Sequence, residues 1–519
     1  MINNVDIDDI INDLKCSYFL LDLQKALQTE VKKPSLYSGD VKKHIKKFLK
    51  ESGYSIEIQN VIYKVFVDRY LGITPCKNGE IETLDYIRKA QKSWEKCIVK
   101  SINSMCTELS LPLSRKRPEA DQKDLRKKFE SMTLGAEYND QMYTKLRPVY
   151  SSADFFEVLV GVKNPNYATG KNITSHTWNM IQAQLYTPDM TDIRKQYHGL
   201  AGSCFQLGVD DHEDSPFQND WLKVGQRVIS KNHMAAARQY IKQGCSPGLR
   251  KQLWSALLGV HISESDVLYY EQLKTYVFEY DMLVDYLIMK DVRLTATNDD
   301  SFFVFEDVLY QVLLIFSRDT WLLEHFNYST ATPPKSYIRG KLGVEEFCVY
   351  YPPCGIFPFH GFSMMAAPLC YIFDKPVELY YIFRYLYTRY FFRLHTISSH
   401  REGILSLCTL FEKLLHSEES ILYQHLDGIG AKPLKLVFNW FLFAYSGYLA
   451  AEEILQVWDR ILGYDSLHLL PVLAVAIISY RKENLLSIDT PLAAEAVLAD
   501  ISTLKVIPVL MRFLSNRRF

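Results

Sequence analysis

From about residue 240 to residue 500 the chain places apolar side chains three and four positions apart, turn after turn, with almost no two-residue alternation. A period near 3.6 buries one stripe of a helix, whereas a half-buried strand needs a period of two, so this half is committed to helices packed on helices. Its start is marked. Ser246 is a natural N-cap, Pro247 takes the first helical position, and Leu249, Leu253, Trp254, Leu257 and Leu258 fall on one face. Further runs of the same kind cover 304–316, 377–394, 403–415, 451–462 and 467–480, and Thr490-Pro491 opens another. The short stretch 347–351 is the exception that reads as a strand. The expected fold class is all-α.

Residues 1–235 read as a mainly helical accessory region of unknown role, in which helical stretches alternate with polar loops. Val41, Ile45, Phe48 and Leu49 mark the apolar face of a helix whose other positions are Lys42, Lys43, Lys46, Lys47 and Lys50. Such a basic run is ordinarily a solvated face, and its sharper reading is contact with an anionic membrane or a GTPase. Residues 112–118, with Arg115-Lys116-Arg117 inside, read as a linker or exposed loop. The carboxylates of 210–216 lack the spacing and central glycine of a calcium loop.

Composition narrows the function classes. With 48% apolar residues a sizeable core is within reach, and 59 basic against 60 acidic residues leave no global pull toward nucleic acid. Ten cysteines, none in a Cys-x-x-Cys pair, read as reduced core thiols of a cytosolic protein, with no metal site and no cofactor expected. The first residues lack the basic-then-apolar pattern of a secretory signal, and the greasiest stretch, 467–480, is shorter than the roughly 20 residues a membrane span needs. No P-loop, His-Glu-x-x-His or Gly-x-Ser-x-Gly motif is present, so the chain is not expected to hydrolyse anything by itself.

The stretch 355–369 puts one imidazole, His360, and one glycine, Gly361, at the mouth of an otherwise apolar helix. Upstream lies Ser246-Pro247-Gly248-Leu249-Arg250-Lys251-Gln252-Leu253-Trp254, and downstream Glu452-Glu453-Ile454-Leu455-Gln456-Val457-Trp458-Asp459-Arg460. Tyr423-Gln424-His425-Leu426, Gly430-Ala431-Lys432-Pro433 and Asn439-Trp440-Phe441 lie between them. These blocks, in this order, resemble a TBC domain, the helical module of Rab GTPase-activating proteins. The resemblance covers about 240–500 and implies a TBC domain there, with an insertion at about 327–357 beside the GTPase surface and a C-terminal helix in 501–519. It also implies a GTP-bound small GTPase of the Rab family as partner, a peripheral contact with endomembranes, and a cytoplasmic location.

Active members of that family carry an arginine finger in Ile-x-x-Asp-x-x-Arg and a glutamine finger in Tyr-x-Gln-Gly. Here the first reads Ile288-Met289-Lys290-Asp291-Val292-Arg293-Leu294, so Leu294 takes the arginine position and Arg293 stands one residue early. The second reads Pro358-Phe359-His360-Gly361, with His360 for the glutamine and Pro358 for the tyrosine. The resemblance thus offers Arg293 and His360 as catalytic residues and Asp291 and Gly361 as Rab-binding residues, with both fingers degenerate and activity expected to be weak or lost. Gly361 would let a GTPase backbone approach closely. His360, between Phe359 and Phe362, reads first as a packing residue and second as a water-orienting group. Arg250, Trp254, Trp458 and Asp459 are the structural signature: one turn apart, Arg250 and Trp254 place the guanidinium across the indole or against a neighbouring helix. The rival reading is a non-catalytic helical scaffold or adaptor.

Overall fold

The computed structural model describes residues 20–32, 41–52, 54–55, 58, 80–131, 145–164, 179–183, 185–201, 205–209, 216–231, 233–298, 302–322 and 352–515. The expected all-α architecture is what they form. The helices that matter below are α1 (Leu20–Val31), α2 (Val41–Glu51), α3 (Glu80–Leu109), α4 (Ser152–Gly161), α5 (Pro247–Leu258), α6 (Glu264–Glu279), α7 (Leu283–Asn298), α8 (Glu306–Arg318), α9 (Pro376–Arg389), α10 (Ile404–Glu418), α11 (Pro433–Leu442), α12 (Ala451–Tyr464), α13 (Leu469–Tyr480), α14 (Pro491–Ala499) and α15 (Val506–Leu514).

α13 is apolar all round, and every residue from Leu469 to Ser479 is buried. A helix of that kind has to sit in the middle of a core. α10, α11 and α15 pack around it. Among the described residues no helix is long and apolar enough to cross a membrane. α2 turns its Ile45, Phe48 and Leu49 inward and leaves Lys42, Lys43, Lys46 and Lys47 exposed, with the Phe48 ring 5.7 Å from that of His233.

Local signals act as their chemistry requires, with instructive departures. Thr490 caps α14 by accepting from the Ala493 amide, and Ser263 and Asp266 form a reciprocal capping box on α6. Ser246 does precede α5, with Pro247 inside the first turn, but its side chain makes no cap bond; the hydroxyl lies 3.3 Å from Tyr240 Oη instead. The run 377–394 is not one helix. α9 stops at Arg389, where Arg389 and Tyr390 both turn to bond Asp465, and a 3-10 turn, Phe391–Leu394, follows. The strand-like stretch 347–351 and all of the proposed insertion before residue 352 lie outside the described residues.

The loop reading of 112–118 is corrected. Ser114–Lys116 is a strand, β1, paired antiparallel with β2 (Tyr280–Met282) in the register Ser114 to Met282, Arg115 to Asp281 and Lys116 to Tyr280. The basic run serves charge neutralisation. Arg115 Nε lies 2.8 Å from Asp281 Oδ2, Arg117 Nη2 lies 3.3 Å from Asp285 Oδ2, and the fully buried Arg318 takes Asp285 at 2.6 and 2.8 Å. Buried carboxylates need such partners, and here the two cations that precede α4 in sequence supply part of them. Farther along, α4 packs on α11 with Phe156 and Phe438 ring centroids 4.8 Å apart, and Gln91 of α3 accepts from the Ile397 amide at 2.7 Å.

Candidate functional site

The two finger segments meet through one carboxylate. Asp291 projects from α7 into the turn that follows His360, where Oδ1 accepts from the Gly361 amide at 2.6 Å and Oδ2 from the Ser363 amide and hydroxyl, both at 2.7 Å. With its proton given to Asp291, the Ser363 hydroxyl accepts from Thr295 Oγ1 at 2.7 Å. Burial pushes the Asp291 carboxyl above its ordinary value, while the Ser363 and Gly361 donors and the nearby His360 ring pull it back. Asp291 is 6% exposed, so its role in this geometry is to hold the turn from beneath.

The same bonds explain why 355–369 is not the helix its apolar run suggests. The stretch forms two 3-10 turns, Phe362–Met365 and Ala367–Tyr371. Asp291 captures the amides at the start, and Pro368 has no N–H to give to a continuing helix.

Gly361 sits at φ +92°, and a Cβ there would lie 2.6 Å from Cε1 of the buried Phe443 ring. Its glycine identity therefore has an internal cause, a left-handed backbone pressed on an aromatic ring. The packing reading of His360 is corrected: Phe359 is buried and His360 points outward, its side chain 48% exposed, with Nδ1 3.9 Å from Asp291 Oδ1. Phe359 takes the interior place, its ring 5.5 Å from Tyr150, 4.2 Å from His395 and 5.5 Å from Phe362.

Arg293 and Leu294 both lie on α7, which runs unbroken through them to Asn298. No bulge resets the register. One residue turns a helical side chain by about 100°, so Arg293 and Leu294 leave the helix in different directions. Arg293 Nε is 3.4 Å from Glu306 Oε1 in the first turn of α8, and its side chain is 27% exposed.

The signature residues form a second assembly. Asp459, fully buried on α12, accepts from Arg250 Nη2 at 2.9 Å, Trp254 Nε1 at 2.8 Å and the Cys245 amide at 3.3 Å. Of the two arrangements open to Arg250, the neighbouring helix is the one adopted. Trp458 donates to the Ala444 carbonyl at 3.0 Å, and its ring lies 6.4 Å from that of Trp254. These buried hydrogen bonds lock α5 to α12.

Sequence reasoning missed Ser363, Thr295 and Phe443, which complete the turn, and Tyr150 and Lys290, which support it. No spacing within one segment signals them, because each acts across 68 or more positions of chain. Two other histidines pack or bond within the fold: His395 is buried with Nε2 3.0 Å from Met365 Sδ, and His400 Nδ1 accepts from the Glu402 amide.

A helical bundle whose signature Arg-Trp-Asp assembly stands beside a glycine turn held by an α7 carboxylate is the arrangement on which sequence comparison can be placed. The sequence model of the Rab-GTPase-TBC domain matches residues 347–486. The chain belongs to the TBC-domain family and is a protein of the Rab-GAP type. Among its relatives, human TBC1 domain family member 19 is 49% identical over 514 residues, spanning 98% of this chain and 97% of that protein. The Chlamydomonas flagellar RabGAP TBC domain, a solved structure, superposes with a TM-score of 0.42 at 15% identity over 64% of this chain and 96% of its own. Rab GTPases are the partner class that membership implies.

Proposed function

We propose that this chain binds GTP-loaded Rab GTPases through the face that carries His360, at the cytoplasmic surface of endomembranes, while its power to stimulate their hydrolysis is weak or lost. In this reading residues 240–500 are the TBC domain, the insertion at about 327–357 adjoins the Rab surface, residues 1–235 are an accessory region and residues 501–519 carry a C-terminal helix. The observation that carries it is the state of the two finger positions. Stimulation asks for a cation at the β/γ-phosphate oxygens, worth on the order of 10³ to 10⁵ in rate, and a group that orients the attacking water. The aligned position holds Leu294, and the cation beside it, Arg293, already pairs with Glu306 on an unbroken helix. His360 is exposed and available, but a neutral imidazole divides donor and acceptor between two ring nitrogens, where a carboxamide offers both from one end.

Single-turnover GTP hydrolysis over a panel of Rabs, with binding measured in parallel, tests the proposal. Binding without acceleration is the expected result. Acceleration by several orders of magnitude would restore a working activator, and neither binding nor acceleration would leave the helical scaffold as the function.

A further inference from the structure

The two finger segments rest on one short piece of the N-terminal region. Residues 146–150 run between α3 and the site, with Leu146, Val149 and Tyr150 buried. On one side they are tied to α3: Ser101 Oγ donates to the Val149 carbonyl at 2.9 Å, and Arg147 donates to Ser101 Oγ at 2.8 Å and to the Ser101 carbonyl at 3.3 Å. On the other side they touch both of the segments that carry the finger positions. The ammonium of Lys290, next to Asp291, donates to the Leu146 carbonyl, and the Tyr150 ring stacks on Phe359, next to His360, at 5.5 Å and 26°. The ring chain continues inward, with Trp94 of α3 edge-on to Tyr150 at 5.0 Å. His360 is thus an exposed side chain on a turn whose neighbours are all anchored: Phe359 by Tyr150, Gly361 by Asp291, and Lys290 by Leu146.

We infer that residues 146–150 are an in-chain brace of the GTPase-facing site, with Tyr150 and Lys290 as positioning residues that set where His360 is presented to the partner. The inference rests on the Rab-binding reading above. It makes the N-terminal region part of the site: the aim of the turn depends on contacts that residues 240–500 do not contain. An offset ring pair orients as well as buries, so Phe at position 150 should serve as Tyr does, while Leu should fill the space without holding the angle.

The test uses the full chain with ¹³C-labelled histidine, the His360 ring signal being assigned by its loss in His360→Gln. Tyr150→Leu, Tyr150→Phe and Lys290→Met are compared with wild type for that signal, for affinity to a Rab loaded with a non-hydrolysable GTP analogue, and for melting temperature. Tyr150→Leu and Lys290→Met are expected to move the His360 signal, and Tyr150→Leu to weaken Rab binding about two- to tenfold, the range to which the geometric part of an aromatic pair converts. Tyr150→Phe is expected to leave both unchanged. A folded Tyr150→Leu variant with an unmoved His360 signal or unaltered Rab affinity would overturn the brace. If Tyr150→Leu does not fold, Lys290→Met decides by the same signal. If wild type binds no Rab, the Rab reading fails, and the His360 signal alone decides the brace.

Discussion

At the residue scale, three neighbours at the finger turn are assigned by different forces. Phe359 is drawn in by aromatic contact, His360 is left in solvent, and Gly361 is required by backbone geometry. The glycine gives the sharpest expectation. Gly361→Ala places a Cβ against Phe443, whose ring is held by Phe359 and Tyr448, and adds the strain of a left-handed non-glycine residue, about 1–3 kcal/mol by itself. Thermal or urea unfolding should show at least that loss. An unchanged midpoint would mean that the turn relaxes freely and that the glycine serves the partner alone. The identities at these positions were readable in sequence; the orientation of His360 was not, because Phe359 and Phe362 argue for a buried histidine between them, whereas the turn buries both rings and leaves the imidazole in solvent.

At the element scale, helix–helix ties are made by buried polar groups more than by caps. Trp254→Ala and Trp458→Ala each remove an indole that fills the α5–α12 contact and a hydrogen bond it donates, so each should cost about 3–5 kcal/mol and lower the melting temperature. Loss of Rab binding at an unchanged melting temperature would make these residues contacts instead. Glu412 on α10 is a different tie, accepting from the Met180 and Ile181 amides at 2.7 and 3.3 Å. Burial raises its carboxyl to about 7. A carboxyl raised above its unfolded value contributes stability that is complete below that value and lost as pH rises through the folded one. Wild type should therefore lose stability between pH 4.5 and about 7 relative to Glu412→Gln, which stays neutral, and paired unfolding curves across that window check it; parallel curves would contradict it. His395 acts at the other end: burial lowers it to about 3, so its contribution is present above the ordinary histidine range and is lost as pH falls toward that value.

Which elements were legible follows from the range of the forces. The long helices α8, α10, α12 and α13 were written in local periodicity. The two 3-10 turns after Gly361 and the β1–β2 ribbon were not, since the first needs a carboxylate 70 residues away and the second pairs strands 166 residues apart. A basic tripeptide between prolines looks like a loop until Asp281 and Asp285 are seen facing it.

At the scale of the whole molecule, the all-α class and the family were both legible, the first from the apolar period and the second from three ordered motif blocks. The joining of the N-terminal region to the finger turn was not, because Tyr150 lies in no motif, Lys290 fills a variable position of one, and their partners are fixed only by the packed chain. The central claim is that the site is assembled and positioned while its two chemical groups are missing or misplaced. One measurement addresses it most directly: single-turnover hydrolysis of GTP on a Rab that binds the chain, comparing wild type, Arg293→Ala and the double variant Leu294→Arg, His360→Gln. A restored cation and carboxamide answer both transition-state demands, so the double variant should accelerate hydrolysis above wild type, while wild type and Arg293→Ala stay together near the intrinsic rate. Strong acceleration by wild type that Arg293→Ala abolishes would contradict the account, because Arg293 would then be a working finger despite its register and its pairing with Glu306.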